Sequence, residues 1–247
     1  MKLEISNVRE NRRNWNLRKE LYSYFRRIVD IVFSIIGIIL TSPIMLIIAI
    51  AIKLDSKGPV IFKQDRTGKY GKNFKVWKFR TMAVNNDVLD FSKADQHTKV
   101  GTFLRKTSLD ELPQFFSILM GYMSFIGPRP WIPEYFENMS EEQKHRVDVT
   151  PGLTGLAQAK GRNSISIFDK INYDLEYIDN YGLIEDIKVV LLTIKTVLSK
   201  EGADAGKQTI QNEIEDLKTQ KIPVDKTKKA NNVKEKNNKV KEECSLA

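Results

Sequence analysis

The sequence has 247 residues, 41% of them hydrophobic, and a net charge of +9, which supplies one globular core with appendages. Its single cysteine, Cys244, excludes an intrachain disulfide and fits a reducing cytoplasm, and no cysteine–histidine cluster exists to hold zinc. The charge is unevenly spread, +11 over residues 1–80, −7 over 81–217 and +5 over 218–247, so it surrounds an apolar segment, as suits an anionic membrane surface, instead of covering the body as in a general nucleic-acid binder.

After a basic segment, residues 1–27, the chain runs apolar from Ile28 to Ile52, 25 residues in all and long enough to span a membrane. The run is not a cleaved signal peptide, because the basic region before it is long and no small-residue cleavage site follows. Ser42-Pro43 falls in its middle. Proline removes one helical hydrogen bond and crowds the preceding turn, and each half is only ~15 Å long as helix, about half a hydrocarbon core. The flanks are balanced, with 8 Lys/Arg in residues 1–27 and 9 in residues 53–80, whereas a simple span is lopsided toward its cytoplasmic end. A re-entrant helix that bends at Ser42-Pro43 and leaves by the face it entered accounts for both features. The Ser42 hydroxyl is placed to satisfy a carbonyl freed by the proline, and Asp30 is expected to pair with Arg26 or Arg27 near the headgroups.

Two short strands follow, Val60–Lys63 and Phe74–Phe79, joined by a turn at Gly68 and Gly71. Asn85–His97 reads as a loop with a helical turn, and Phe103 to Met120 as at least one helix stopped by Gly121. "IGPRPWIP" is proline-dense and irregular. Pro133–Val147 reads as helix and "TPGLTGLAQAKGRN" as a glycine-punctuated loop. Helices follow over Phe168–Tyr181 and Leu183–Lys200. The last has apolar residues at helical spacing but is too polar to span, so it packs on the body or lies at the membrane interface. Residues 201–247 form a lysine-rich tail of disordered composition. His97 and His145 read as surface residues.

In "RKTSLDELPQFF", Asp110 and Glu111 stand just before Pro113. Ser108-x-x-Glu111 fits a capping box, but Pro113 would then sit in the helix interior and clash with the Leu109 carbonyl. With Asp110 as the cap, Pro113 falls in the first turn, and backbone amides and the helix dipole keep Asp110 ionised. An ionised carboxylate attacks phosphorus when cations neutralise the repulsion; Arg105 and Arg129 are near in sequence. Glu111 points elsewhere and suits a divalent metal bridging phosphate oxygens. From chemistry alone a simple cap and a catalytic pair both stand.

"KFRTM", "RKTSLDELPQ", "MSFIGPRP" and "PGLTGLAQ…GRN", in this order behind an apolar segment broken at Ser-Pro, resemble the bacterial sugar transferases, the monotopic phosphoglycosyl transferases in their minimal single-domain form. The match covers roughly Phe25 to Leu198. The resemblance implies an α+β, mostly helical monotopic membrane protein, with an N-terminal re-entrant helix over residues 28–52, a small β-hairpin, and a catalytic domain over residues 53–200 on the cytoplasmic face of the bacterial inner membrane with interfacial amphipathic helices. It implies transfer of a sugar 1-phosphate from a UDP-sugar to undecaprenyl phosphate through a covalent aspartyl-phosphosugar, with release of UMP, as the first membrane step of a polysaccharide or glycan. Asp110 matches the family's nucleophile and Glu111 its Mg²⁺ ligand. Arg105 and Arg129 match phosphate-holding positions, and Lys78 and Arg162 nucleotide-binding ones. Membrane lipids and downstream glycosyltransferases are the further implied partners, and nucleic acid is not one. Lys160 reads as a surface ion pair. The competing reading is a non-enzymatic membrane adaptor whose basic flanks dock anionic lipid.

Overall fold

A computed structural model describes residues 17–83, 97–161, 165–199 and 210–219. The expected loop at Asn85–His97 and the position of Arg162 fall outside them, apart from His97 itself.

Helix α1, Leu17–Asp55, contains the whole apolar run and starts well before it. It is long and apolar enough to cross a membrane. Pro43 has no N–H to offer the Ile39 carbonyl four residues back. The Ser42 hydroxyl donates to that oxygen at 2.9 Å, and Thr41 donates to the Gly37 carbonyl at 2.7 Å. The helix therefore continues through Ser42-Pro43 with the orphaned acceptor satisfied, as expected from the serine. Before Ser42-Pro43, Arg26, Asp30 and Ser34 are buried and Gly37 lies against the Phe115 ring; after it, Met45, Ile48, Ala49 and Ile52 pack on Phe79 and Leu104. Between these stretches, Ile39, Leu40 and Ser42 to Ile44 are exposed.

Among the described basic residues before the apolar run, Lys19, Arg26 and Arg27 are bonded to protein. Lys19 donates to the carbonyls of Ile178 and Asp179, and Arg27 to those of Ile118 and Leu119 at 2.6 Å each. Both sets are the acceptor-rich carbonyls of a helix end. Arg26 donates to the Tyr177 hydroxyl at 2.9 Å and the Ser124 hydroxyl at 2.6 Å, and lies 3.4 Å from Asp186. Ser124 in turn donates to Asp30 at 3.0 Å. Asp30 is thus joined to Arg26 through a serine of the body, not by the direct headgroup-level pair expected from sequence. Counting charges cannot separate a cation that faces lipid from one that caps a helix.

Strands β1, Ile61–Thr67, and β2, Asn73–Phe79, pair antiparallel in the expected hairpin, with β1 longer than expected. Its turn uses left-handed backbone at Tyr70 and Gly71. Helix α2 is Lys99–Thr107. Ser108 closes it in the left-handed region, and a single 3-10 turn, Leu109–Glu111, leads to α3, Gln114–Leu119. Gly121 ends this stretch at φ +87°. The expected glycine-punctuated loop is instead ordered. β3, Ser124–Ile126, pairs in parallel with β4, Gly152–Thr154, and helix Leu156–Gly161 follows. At Gly152 an added Cβ would meet the Gly127 nitrogen at 2.1 Å, so the backbones cross too closely for any side chain. The helix expected over Pro133–Val147 is split into α4, Pro133–Glu137, and α5, Glu141–Lys144, because Ser140 and Gln143 build a capping box that restarts it. Counting Leu156–Gly161 as α6, the chain continues with α7, Ile167–Asp179, and α8, Leu183–Ser199. Helix α8 buries Glu185, Asp186 and Val189 against the body while Ile184, Leu191 and Leu198 stay exposed.

Of the tail expected to be disordered, residues 201–209 and 220–247 lie outside the described residues, and Ile210–Lys218 forms α9. Leu217 is fully buried, and Ile210 and Ile214 pack beside it on the core of Ile132, Tyr135, Met139 and Ile171. Glu213 bonds the Tyr135 hydroxyl and Lys170. Averaged composition hid this helix, because its apolar residues at positions 210, 214 and 217 make one short stripe amid polar and acidic residues. Leu217→Ala is expected to destabilise the full chain by about 2–5 kcal/mol, and truncation at Gly202 by more, both read by denaturant unfolding in detergent. Unchanged unfolding midpoints would contradict this packing.

Candidate functional site

Three segments meet at the Asp110–Glu111 turn. Lys78 projects from β2, the 3-10 turn supplies the two acids, and Arg129 comes from the Gly127–Pro130 loop held by the β3–β4 pair. Lys78 Nζ lies 2.6 Å and an Arg129 guanidinium nitrogen 2.8 Å from the same Glu111 oxygen, Oε1. These two cations overcome burial and hold the Glu111 carboxyl far below the usual carboxylate range. Both bonds fall on Oε1, so Oε2 is the oxygen available to a further cation.

Neither helix-cap reading of the two acids holds. Ser108 is left-handed and its side chain caps nothing, and α3 starts at Gln114 behind Pro113, so Asp110 lies in the preceding turn. Asp110 is 8% exposed, and among the described residues no other side chain hydrogen-bonds its carboxylate. Its carboxyl is shifted upward, not downward as a helix cap would require. Burial is the largest cause and the Glu111 charge adds to it, while Lys78 and Arg105 oppose it. A carboxylate that is buried, attracted by cations but bonded by none is short of stabilising contacts, and so more reactive than a capped one.

Arg105, on α2, acts on Asp110 through its charge and bonds the His97 ring at 2.7 Å. His97 also contacts the Thr81 carbonyl, so it is a partner of the site and not the plain surface residue expected. Lys160 forms the surface ion pair expected of it, with Glu176 at 3.1 Å. Of the candidates from sequence, Asp110, Glu111, Lys78, Arg129 and Arg105 thus converge, Ser42 and Pro43 lie on α1, and Arg162 is outside the described residues.

Two arginines near the site went unremarked in the sequence. Arg146 is buried, bonds Asp174 at 2.6 Å, stacks 3.7 Å from the Trp131 ring centre and donates to the Arg129 carbonyl at 2.8 Å. It fixes the backbone from which Arg129 reaches Glu111. Arg66, on β1, donates to Gln64 Oε1 at 2.5 Å and lies 3.5 Å from the Pro130 carbonyl. Both sit outside a recognisable active-site pattern, and only a three-dimensional arrangement reveals them.

Residues 21–200 match the family model described as bacterial sugar transferase, and the chain belongs to that family. A UDP-glucose:undecaprenyl-phosphate glucose-1-phosphate transferase of Klebsiella pneumoniae is 48% identical over 182 residues, covering 69% of this chain and 39% of that protein. The galactosyl transferase CpsE of Streptococcus agalactiae is 39% identical over 194 residues, covering 72% of this chain and 43% of that protein. The uncharacterized sugar transferase EpsL of Bacillus subtilis is 40% identical over 179 residues, covering 72% of this chain and 89% of that protein. The chain thus spans about two fifths of the first two relatives and most of the third.

The electrostatics yield a direct test. Lys78 lowers the Asp110 pKa by favouring its charged form, so Lys78→Met must move it further up. Carbon NMR of labelled aspartate is expected to show Asp110 titrating above the ordinary range in the native chain and higher still in the variant. A native titration at or below the ordinary range would contradict the burial argument.

Proposed function

We propose that this chain is a phosphoglycosyl transferase that moves a sugar 1-phosphate from a UDP-sugar to undecaprenyl phosphate, with release of UMP. The observation that carries it is the pairing of Asp110, a buried carboxylate bonded by no other side chain among the described residues, with a neighbouring carboxylate clamped by Lys78 and Arg129. The K. pneumoniae relative is a UDP-glucose:undecaprenyl-phosphate glucose-1-phosphate transferase, which supplies donor and acceptor classes that suit such a site.

In this reading an Asp110 oxygen attacks the sugar-bearing phosphorus, forming a P–O bond to the carboxylate. The bond from that phosphorus to the bridging oxygen breaks, and UMP departs with the electron pair. An oxygen of the lipid phosphate then attacks the same phosphorus and returns Asp110 as carboxylate. Arg105 and Arg129 hold phosphate oxygens, reducing the repulsion between two anions, and the planar arginine fork suits that task. Lys78 holds Glu111 and neutralises charge beside the nucleophile. Among the described residues no cluster of three or more His, Cys, Asp or Glu side chains forms a protein-only metal cage. Two adjacent carboxylates beside a phosphate site fit Mg²⁺, which commonly takes few protein ligands and completes its shell with substrate phosphates and water. Glu111, with Asp110 beside it, would hold that ion, which when bound neutralises charge on the diphosphate oxygens.

The lipid acceptor carries its phosphate at headgroup depth, so the site must be held at the membrane surface. We read α1 as re-entrant and the body as lying on the cytoplasmic face. Support comes from the packing of α1 on both sides of Ser42-Pro43 against one body, with Ile39, Leu40 and Ser42 to Ile44 exposed between. The exposed apolar stripe of α8 suits the interface.

Incubating the purified chain with UDP-sugars and undecaprenyl phosphate should release UMP, and Asp110→Asn should lower the rate by at least a thousandfold. Turnover unchanged in that variant would exclude Asp110 as nucleophile. No UMP from any UDP-sugar, with the protein folded, would favour the adaptor reading.

A further inference from the structure

We infer that Arg66 is a diphosphate-binding residue of this site, a further cation beside Arg105, Arg129 and Lys78. The inference rests on the proposed function for the identity of the ligand, but its geometry stands apart from that reading.

The other buried or half-buried arginines each meet either a carboxylate or two short backbone-carbonyl bonds. Arg26 has Asp186, Arg146 has Asp174 and Arg129 has Glu111. Arg27 caps the carbonyl end of α3, and Arg80 binds the carbonyls of Ser56 and Lys57 just past the end of α1. Arg66 differs. Its one short bond is to a neutral amide oxygen, Gln64 Oε1, and its contact with the Pro130 carbonyl, at 3.5 Å, is at the limit of a hydrogen bond. Among the described residues it has no salt bridge, and Glu111 and Glu134 attract it only through longer-range charge.

Its neighbour is another cation. Burial and the adjacent Arg129 push Arg66 down to about 10, so it stays charged at neutral pH. A half-buried guanidinium set against a second one is unfavourable unless an anion occupies the space between them. Lys78, Arg66, Arg105 and Arg129 thus gather around the Asp110–Glu111 turn, with Glu134 the further carboxylate that acts on Arg66. The two phosphates of a nucleotide diphosphosugar carry one negative charge each and are the kind of anion such a group of cations attracts. A purely structural role for Arg66, propping the Pro130 carbonyl, would rely on a contact too long to hold the loop.

The test measures UDP binding to the full purified chain by calorimetry, without turnover. Arg66→Gln should weaken UDP about tenfold or more and flatten the dependence of affinity on NaCl concentration, as expected when one ion contact is lost. Arg66→Lys, which keeps the charge, should recover part of the loss. An affinity within twofold of wild type in Arg66→Gln would overturn the inference. So would a lysine variant as weak as the glutamine one with the salt dependence unchanged, which marks a displaced loop. Should Arg66→Gln not fold, the Nε signal of Arg66 in arginine-labelled wild type decides: it must move on adding UDP, and a stationary signal overturns the inference. Binding through Arg66 without UMP release from any UDP-sugar would remove the proposed activity and leave Arg66 in place. Turnover with Arg66→Gln binding normally would do the reverse.

Discussion

One carboxylate oxygen, Oε1 of Glu111, receives both Lys78 and Arg129. That clamp ties strand β2, the 3-10 turn and the Gly127–Pro130 loop into a single site. Without it, two cations would face each other across a turn carrying two acids, and Asp110 would lose the field that keeps a buried carboxylate usable. The clamp is itself supported from behind. Arg146, held by Asp174 and stacked on Trp131, bonds the carbonyl of Arg129, so a fully buried ion pair sets the position of a half-exposed cation of the candidate site. Removing either member of such a pair costs about 3–5 kcal/mol because the other is left uncompensated.

The same economy runs through the attachment of α1. Lys19 and Arg27 bind the carbonyl ends of α7 and α3, and Arg26 enters a buried cluster with Tyr177, Asp186 and Ser124. These three residues, part of what looks like a membrane-facing basic flank, fasten the apolar helix to the body. Rigid fastening suits the proposed reaction, since an error of an ångström in the position of a nucleophile costs orders of magnitude in rate.

Much of this was legible in the chain. The hairpin followed from its turn glycines and apolar strands, and Ser42 next to Pro43 foretold the bond to the Ile39 carbonyl. The ordered motifs pointed to the family that the comparisons then showed. What escaped was whatever depends on non-local contact. The cap at Ser108 or Asp110 was a sound local inference, but α2 ends in a left-handed residue that redirects the chain before α3 begins. Helix α9 was hidden because its partners, Tyr135 and Lys170, lie far away in sequence. Arg66 was invisible because an arginine without a counter-charge can be recognised only when its surroundings are seen.

The account turns on Asp110 forming a bond to phosphorus. Mixing the purified chain with a UDP-sugar in the absence of lipid acceptor, and weighing the intact protein after rapid quenching, tests this most directly. A mass increase equal to one sugar phosphate, mapped to Asp110 and discharged on adding undecaprenyl phosphate, is the predicted result. An unmodified chain at every time point, from a preparation that turns over normally once lipid is supplied, would contradict it.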